Sequence, residues 1–198
     1  SVLDKLDISE AHILGISMGG MIAQIIVSSH PERTKTFTLI SSTASTPSPF
    51  NGPTRKVRKL LMNRTKNPNS TVDERVARSR KIFTEIGYQG IDLNTEEFYN
   101  NVYISIERGG KDDTGFGRQL NAILASQNRL DKVKSISAPT LIIHGLEDPL
   151  IKVKNAHKAN KLIQGSKLII IDDMRHLIEP PVFNQFKDDL LEHLETNK

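Results

Sequence analysis

Residues 15–24 read GISMGGMIAQ, and the serine set between Gly15 and Gly19 decides how the rest of the chain is read. Before it, HILGI (12–16) is a short apolar run of the kind that a parallel strand buried on both faces requires. After it, Met18, Met21, Ile22, Ile25 and Ile26 recur at i, i+3, i+4, i+7 and i+8, one face of a helix that should stop near His30-Pro31. A serine on such a strand-to-helix turn can be pushed clear of the backbone and used as a nucleophile. The plainer reading is that glycine and serine punctuate a loop, or that Gly15 and Gly19 only let strand and helix pack closely.

Outward from this stretch, TFTLISST (36–43), PTLIIHG (139–145) and KLIIID (167–172) predict three more strands. A helix is expected over 152–164, ending at Gly165, and Val182, Phe183, Phe186, Leu190 and Leu194 mark an amphipathic C-terminal helix. Strands alternating with helices imply βαβ units and a parallel sheet. The alternation breaks between about 44 and 135, where the chain is more polar and helical in outline (55–66, 71–86, 95–108, 116–130). Pro47, Pro49 and Pro53 at its start and Ala138-Pro139 beyond its end read as hinges. The expected organisation is a core of 1–43 and 136–198 with a helical insertion of 44–135. The glycine-rich GGKDDTGFG (109–117) has no Gly-Lys-Ser/Thr ending and follows no strand, so it reads as a turn between helices rather than a phosphate cradle.

Composition narrows the function classes. With 198 residues, 37% hydrophobic and 25% charged, the chain suits one globular domain with a sizeable core. No run approaches the roughly 18 apolar residues of a membrane span, and SVLDKLDISE lacks the basic and apolar regions of a signal peptide. Cysteine is absent, which removes disulfides and thiolate metal sites and fits a cytoplasmic location. Net charge is +4, concentrated in residues 51–90, where ten Lys or Arg face three acids. That segment reads as the solvated face of amphipathic helices in preference to a nucleic-acid patch. Without tryptophan and with few aromatics, a stacking platform for single strands is not expected.

A serine nucleophile needs a general base, itself oriented by an acid. In a doubly wound sheet, groups that must meet sit at the C-terminal ends of strands. Ser17 follows the first strand, Glu147 and Asp148 follow the third, and Asp172-Asp173-Met174-Arg175-His176 follows the fourth. Serine, acid, histidine is the chain order of the nucleophile-elbow enzymes. A lone Gly-x-Ser-x-Gly says little; an elbow with an acid and a histidine each after its own later strand says much more. His12, His30, His144, His157 and His193 read as structural or solvated, with His144 the nearest to the site. Nothing has metal-ligand spacing, and no cofactor is called for.

These features together resemble the α/β-hydrolases that carry a helical cap, and more narrowly the esterases of the aclacinomycin-methylesterase type. The matching segments are GISMGGMIAQ (15–24), HPERTKTFTLISST (30–43) and RQLNAILASQNRLDKVKSISAPTLIIHGLEDPLI (118–151). The resemblance implies Ser17 as nucleophile, His176 as base and Asp148 as acid, with Glu147, Asp172 and Asp173 as rival carboxylates. It implies the backbone N–H of Met18 as one half of an oxyanion hole. The segment 44–135 becomes the cap that shapes the pocket, and the substrate a small-molecule carboxylic ester such as a methyl ester. Serine at the elbow disfavours the dehalogenase and epoxide-hydrolase branches. Enol-lactone hydrolysis, C–C bond hydrolysis and perhydrolysis use the same triad, and a catalytically silent binding scaffold is the alternative from outside the enzymes.

Two departures from the family pattern stand out. Where members usually have glycines before the histidine, this chain has Arg175, which would either depress the histidine's pKa by like-charge repulsion or point to solvent. Only fourteen residues precede Gly15, where the family has several strands and the loop that donates the second oxyanion N–H. The expectation is therefore the C-terminal part of an α/β-hydrolase fold, with early strands absent. Its elbow strand would be left open to self-association or to pairing with the missing segment.

Overall fold

A computed structural model describes residues 1–45, 52–62, 70–109, 115–126 and 128–196. Four parallel strands, β1 (Ala11–Ile16), β2 (Thr34–Ile40), β3 (Thr140–Gly145) and β4 (Lys167–Ile171), form one sheet in the order β1-β2-β3-β4. Around them run α1 (Val2–Lys5), α2 (Met18–Ser29), α3 (Arg55–Met62), α4 (Val72–Ile86), α5 (Glu96–Gly109), α6 (Gly115–Ala125), α7 (Leu130–Lys134), α8 (Lys154–Leu162), α9 (Pro180–Phe183) and α10 (Lys187–Thr196). Register sets Ile16 beside Ile40, Ile40 beside Ile143, and Gly145 beside Ile171. The strand ends after which chemistry-bearing residues were expected are thus aligned along one edge.

Side-chain alternation divides the core between the two faces of the sheet. Phe37, Leu39 and Ile142 pack on one side with Ala23, Val27, Val133, Ala156 and Ile163. Ile40, Leu141 and Ile143 pack on the other with Met174, Val182 and Phe186. Each fully buried side chain of this size stabilises by about 1.5–3 kcal/mol, which holds the aligned edge rigid. Helices α3, α4 and α5 form further clusters, one around Val57, Ile82 and Ile86 and another around Val76, Phe98 and Val102.

Several boundaries differ from the sequence reading. β2 stops at Ile40, because Ser41 turns the chain with φ 45°. The helix expected over 116–130 is two, α6 and α7, interrupted where Arg129 turns inward and is buried. The C-terminal helix is likewise broken between Phe183 and Lys187, which lets Phe186 reach the core. Helix α1, capped by Ser1 and Asp4, has no apolar periodicity to announce it. Pro47, Pro49, the end of the expected 55–66 helix with Arg64 and Lys66, and most of the 109–117 loop lie outside the described residues. Of the other basic residues, Lys56 pairs with Glu85, and Arg80 lies 5.8 Å from the Phe98 ring centre while donating to Leu93 O. No helix among the described residues is long and apolar enough to cross a membrane.

Candidate active site

Ser17 sits between the last residue of β1 and the first of α2 with φ 53° and ψ −120°. That backbone conformation costs an L residue on the order of 1–3 kcal/mol and persists only where neighbours enforce it. Here the Ser17 N–H donates to Ile40 O at 3.0 Å, and the Ser42 hydroxyl donates to Ser17 O at 2.7 Å. Gly15 is required by close approach: a Cβ there would lie 2.6 Å from Gly19 O and 2.7 Å from Gly20 Cα. Gly19 itself faces open space, so close packing does not explain its glycine. Met18 opens α2, and its N–H is one of the first-turn donors that no intrahelical carbonyl reaches.

The acid loop leaves β3 at Gly145, where any Cβ would overlap the carbonyl oxygens of Met174 and Arg175. Bare backbone there allows the histidine loop to lie directly on the strand end. Asp148 is buried, and its Oδ1 accepts the N–H groups of Leu150 and Ile151, both at 2.8 Å. Its Oδ2 lies 2.8 Å from His176 Nδ1, and His176 Nε2 lies 3.0 Å from Ser17 Oγ. With an ionised Asp148 accepting from Nδ1–H, the Nε2 lone pair is left facing the serine hydroxyl. The rival carboxylates are exposed: Asp173 accepts from Gln185, Glu147 lies 3.6 Å from the Arg175 guanidinium, and Asp172 faces solvent.

Of the remaining histidines, His144 is fully buried beneath the acid, donating from Nε2 to Ile151 O at 2.7 Å and lying 3.5 Å from Asp148 Oδ2. Burial pushes its pKa below the usual imidazole value and keeps it neutral. His12 meets the Thr36 hydroxyl, and His30 and His157 are exposed. His193 is half-buried, and burial lowers its pKa as well. No group of three His, Asp or Glu side chains that could hold a metal comes together among the described residues. Arg175 does not point to solvent. Its Nη1 donates to Thr84 O at 3.3 Å and Glu85 O at 3.0 Å, the carbonyl end of α4.

A cavity of about 260 Å³ opens over Ser17, walled by Met18, Met21, Leu61, Phe116, Leu120 and Leu150 among others. No charged residue occurs in its described lining. A neighbouring groove of about 330 Å³ runs between α2 and α6 past Arg118 and Arg129. The α6 contribution to the wall and the Ser42 brace had no signal in the sequence beyond helical periodicity and a polar strand end.

The family described as alpha/beta hydrolase fold matches residues 1–178. Rhodomycin D methylesterase of Streptomyces peucetius is 24% identical over 194 residues, covering 90% of this chain and 64% of that protein. A 2-hydroxy-6-oxononadienedioate/2-hydroxy-6-oxononatrienedioate hydrolase of a Pseudomonas species is 28% identical over 155 residues, covering 76% of this chain and 50% of that one. The chain therefore spans about half to two thirds of the length of these curated relatives. Among solved structures, an esterase from Exiguobacterium antarcticum superposes with a TM-score of 0.76 at 18% identity, over 98% of this chain and 70% of that one. A meta-cleavage product hydrolase from Pseudomonas fluorescens gives 0.73 at 19% identity, over 100% and 69%. At these identities the structural likeness speaks for the fold.

Proposed function

This chain belongs to the α/β-hydrolase family, and from that premise we propose that it hydrolyses the carboxylic ester of a small, uncharged molecule through an acyl-enzyme. The carrying observation is the continuous chain of contacts from Asp148 Oδ2 to His176 Nδ1 at 2.8 Å and from His176 Nε2 to Ser17 Oγ at 3.0 Å. In this reading Ser17 Oγ bonds to the ester carbonyl carbon as its proton passes to His176 Nε2. Asp148 stabilises the imidazolium, and the Met18 N–H donates to the developing oxyanion. Collapse breaks the C–O bond to the alcohol, which takes the proton from His176. Water then gives a proton to His176 as its oxygen adds to the acyl carbon, and the carboxylic acid leaves as Ser17 recovers its hydrogen.

The helices of 44–135 act as the cap: Leu61 from α3 and Phe116, Leu120 and Ile123 from α6 close the cavity over Ser17. Its apolar described lining favours an aliphatic or aromatic ester. A dicarboxylate of the kind named for the Pseudomonas relative would bring charge into a cavity with no described cation to meet it. C–C bond hydrolysis remains the second reading because of that relative. The test is hydrolysis of p-nitrophenyl esters of increasing acyl length beside a 2-hydroxy-6-oxodienoate. The account expects turnover of esters, rising from acetate towards medium chains, and none by Ser17→Ala. Turnover of the dienoate alone would replace the ester reading with the second one.

A further inference from the structure

The loop carrying His176 is seated on the C-terminal end of α4. The last carbonyls of a helix have no intrahelical donor. In α4 the loop supplies most of the missing ones. Arg175 Nη1 donates to Thr84 O and Glu85 O, and the backbone N–H groups of His176 and Leu177 donate to Ile86 O at 2.8 and 3.2 Å. Two residues on, Glu179 Oε1 accepts the Tyr88 N–H at 3.1 Å. The cation also sits at the negative end of the helix dipole, where it is favoured. Apolar packing repeats the connection: Leu177 from the histidine loop and Leu150 from the acid loop join Val57, Leu61, Ile82 and Ile86 of α3 and α4 in one cluster. Leu61 and Leu150 also wall the cavity over Ser17.

We infer that Arg175 is a positioning residue, clamping the His176 loop to the end of α4 so that Nε2 is held on the Ser17 hydroxyl. This rests on the proposed roles of Ser17, His176 and Asp148. Arg175 reaches the helix carbonyls with one long cationic donor; an aliphatic residue there would take that partner from Glu85 O, leave Thr84 O only the Gln89 side chain at 2.9 Å, and leave the loop held at the helix end by Ile86 O and Glu179. A displacement of the base by about 1 Å is enough to slow proton transfer up to about a hundredfold. Leu61 and Leu150, which wall the cavity, belong to the same cluster as Leu177 of the loop that carries the base.

The experiment compares the rate of covalent labelling by a fluorophosphonate, together with kcat, KM and the pH–rate midpoint, for the native chain, Arg175→Met, Arg175→Gln and Arg175→Lys. Arg175→Met should lower the labelling rate and kcat by about ten- to a hundredfold with KM nearly unchanged. Arg175→Lys, which keeps a cationic donor, should recover most of the loss, and the pH–rate midpoint should stay in place. Should Arg175→Met fail to unfold cooperatively, Arg175→Gln carries the comparison with a smaller loss of the same kind. Labelling at the native rate in a folded variant overturns the inference. So does a moved midpoint with an unchanged plateau, which would make Arg175 an electrostatic influence instead. Failure of the native chain to label at all would count against the proposed function and not against the seat.

Discussion

β3 is buried along its whole length, whereas β1, two strands away, leaves Leu14 47% and Ile16 43% exposed and is followed by a helix that turns Ile22, Ile25 and Ile26 to solvent. The candidate nucleophile leaves the thinly covered strand; the acid leaves the buried β3, and the base leaves β4, of which Ile171 is buried. The two are held by different means. Ser17 is fixed by a strained backbone and two hydrogen bonds across to Ile40 and Ser42. Asp148 is fixed by the N–H groups of Leu150 and Ile151 in its own loop, and His176 by tertiary contacts with the acid and with α4. Precision at the serine therefore survives sparse packing, and precision at the base depends on elements distant in sequence.

The largest expected effect lies at the acid that follows the buried β3. Asp148→Asn should lower kcat by about ten-thousandfold, because the amide would favour the wrong imidazole tautomer. Asp172→Asn and Asp173→Asn, both at exposed positions, should leave kcat nearly unchanged. A larger loss at either one would move the acid to that residue.

At the open end the expected effect is on association. Exposed apolar side chains of β1 and α2 lie beside a strand edge that no described strand pairs, a setting that favours self-association. Light scattering on the purified chain should show species larger than a monomer, and Ile22→Lys with Ile26→Lys should reduce them. A native chain that stays monomeric and unfolds cooperatively would show that this face is tolerated by itself.

The smallest effect is a pH dependence of stability. Burial lowers the pKa of His144 and His193 in the folded chain below 6.5, so the unfolded chain binds protons first as pH falls. Stability is then full above about 6.5 and declines below it until the lowered folded values are reached. Thermal unfolding at about pH 7.5 and about pH 5.5 measures this slope. His144→Gln, at the buried end, should flatten it more than changes at exposed His30 or His157. Equal slopes in all variants would place the sensitivity elsewhere.

The strands, the elbow and the order of serine, acid and histidine were legible because each leaves a local mark: an apolar run, a glycine pair, a polar loop after a strand. What was not legible depends on acceptors that have no sequence signature. Arg129, 3% exposed, donates to Gln24 Oε1, the Ser126 hydroxyl and the carbonyls of Thr43 and Ser45, joining the two ends of the 44–135 segment. Arg175 donates to a helix carbonyl ninety residues earlier in the chain. Backbone oxygens are the same at every position, so a long-range bond to one cannot be read from residue types. The helix breaks before Leu130 and Lys187 have the same origin, since burying Arg129 and Phe186 overrides a periodicity that would have continued.

The central claim is that Ser17, activated by His176, is the nucleophile. Incubation of the chain with a fluorophosphonate, followed by proteolysis and mass spectrometry, tests it directly. The account predicts a single phosphonylated peptide containing GISMGG (15–20), modified at Ser17 and lost in both Ser17→Ala and His176→Ala. Modification at another residue, or labelling that persists in Ser17→Ala, would contradict it.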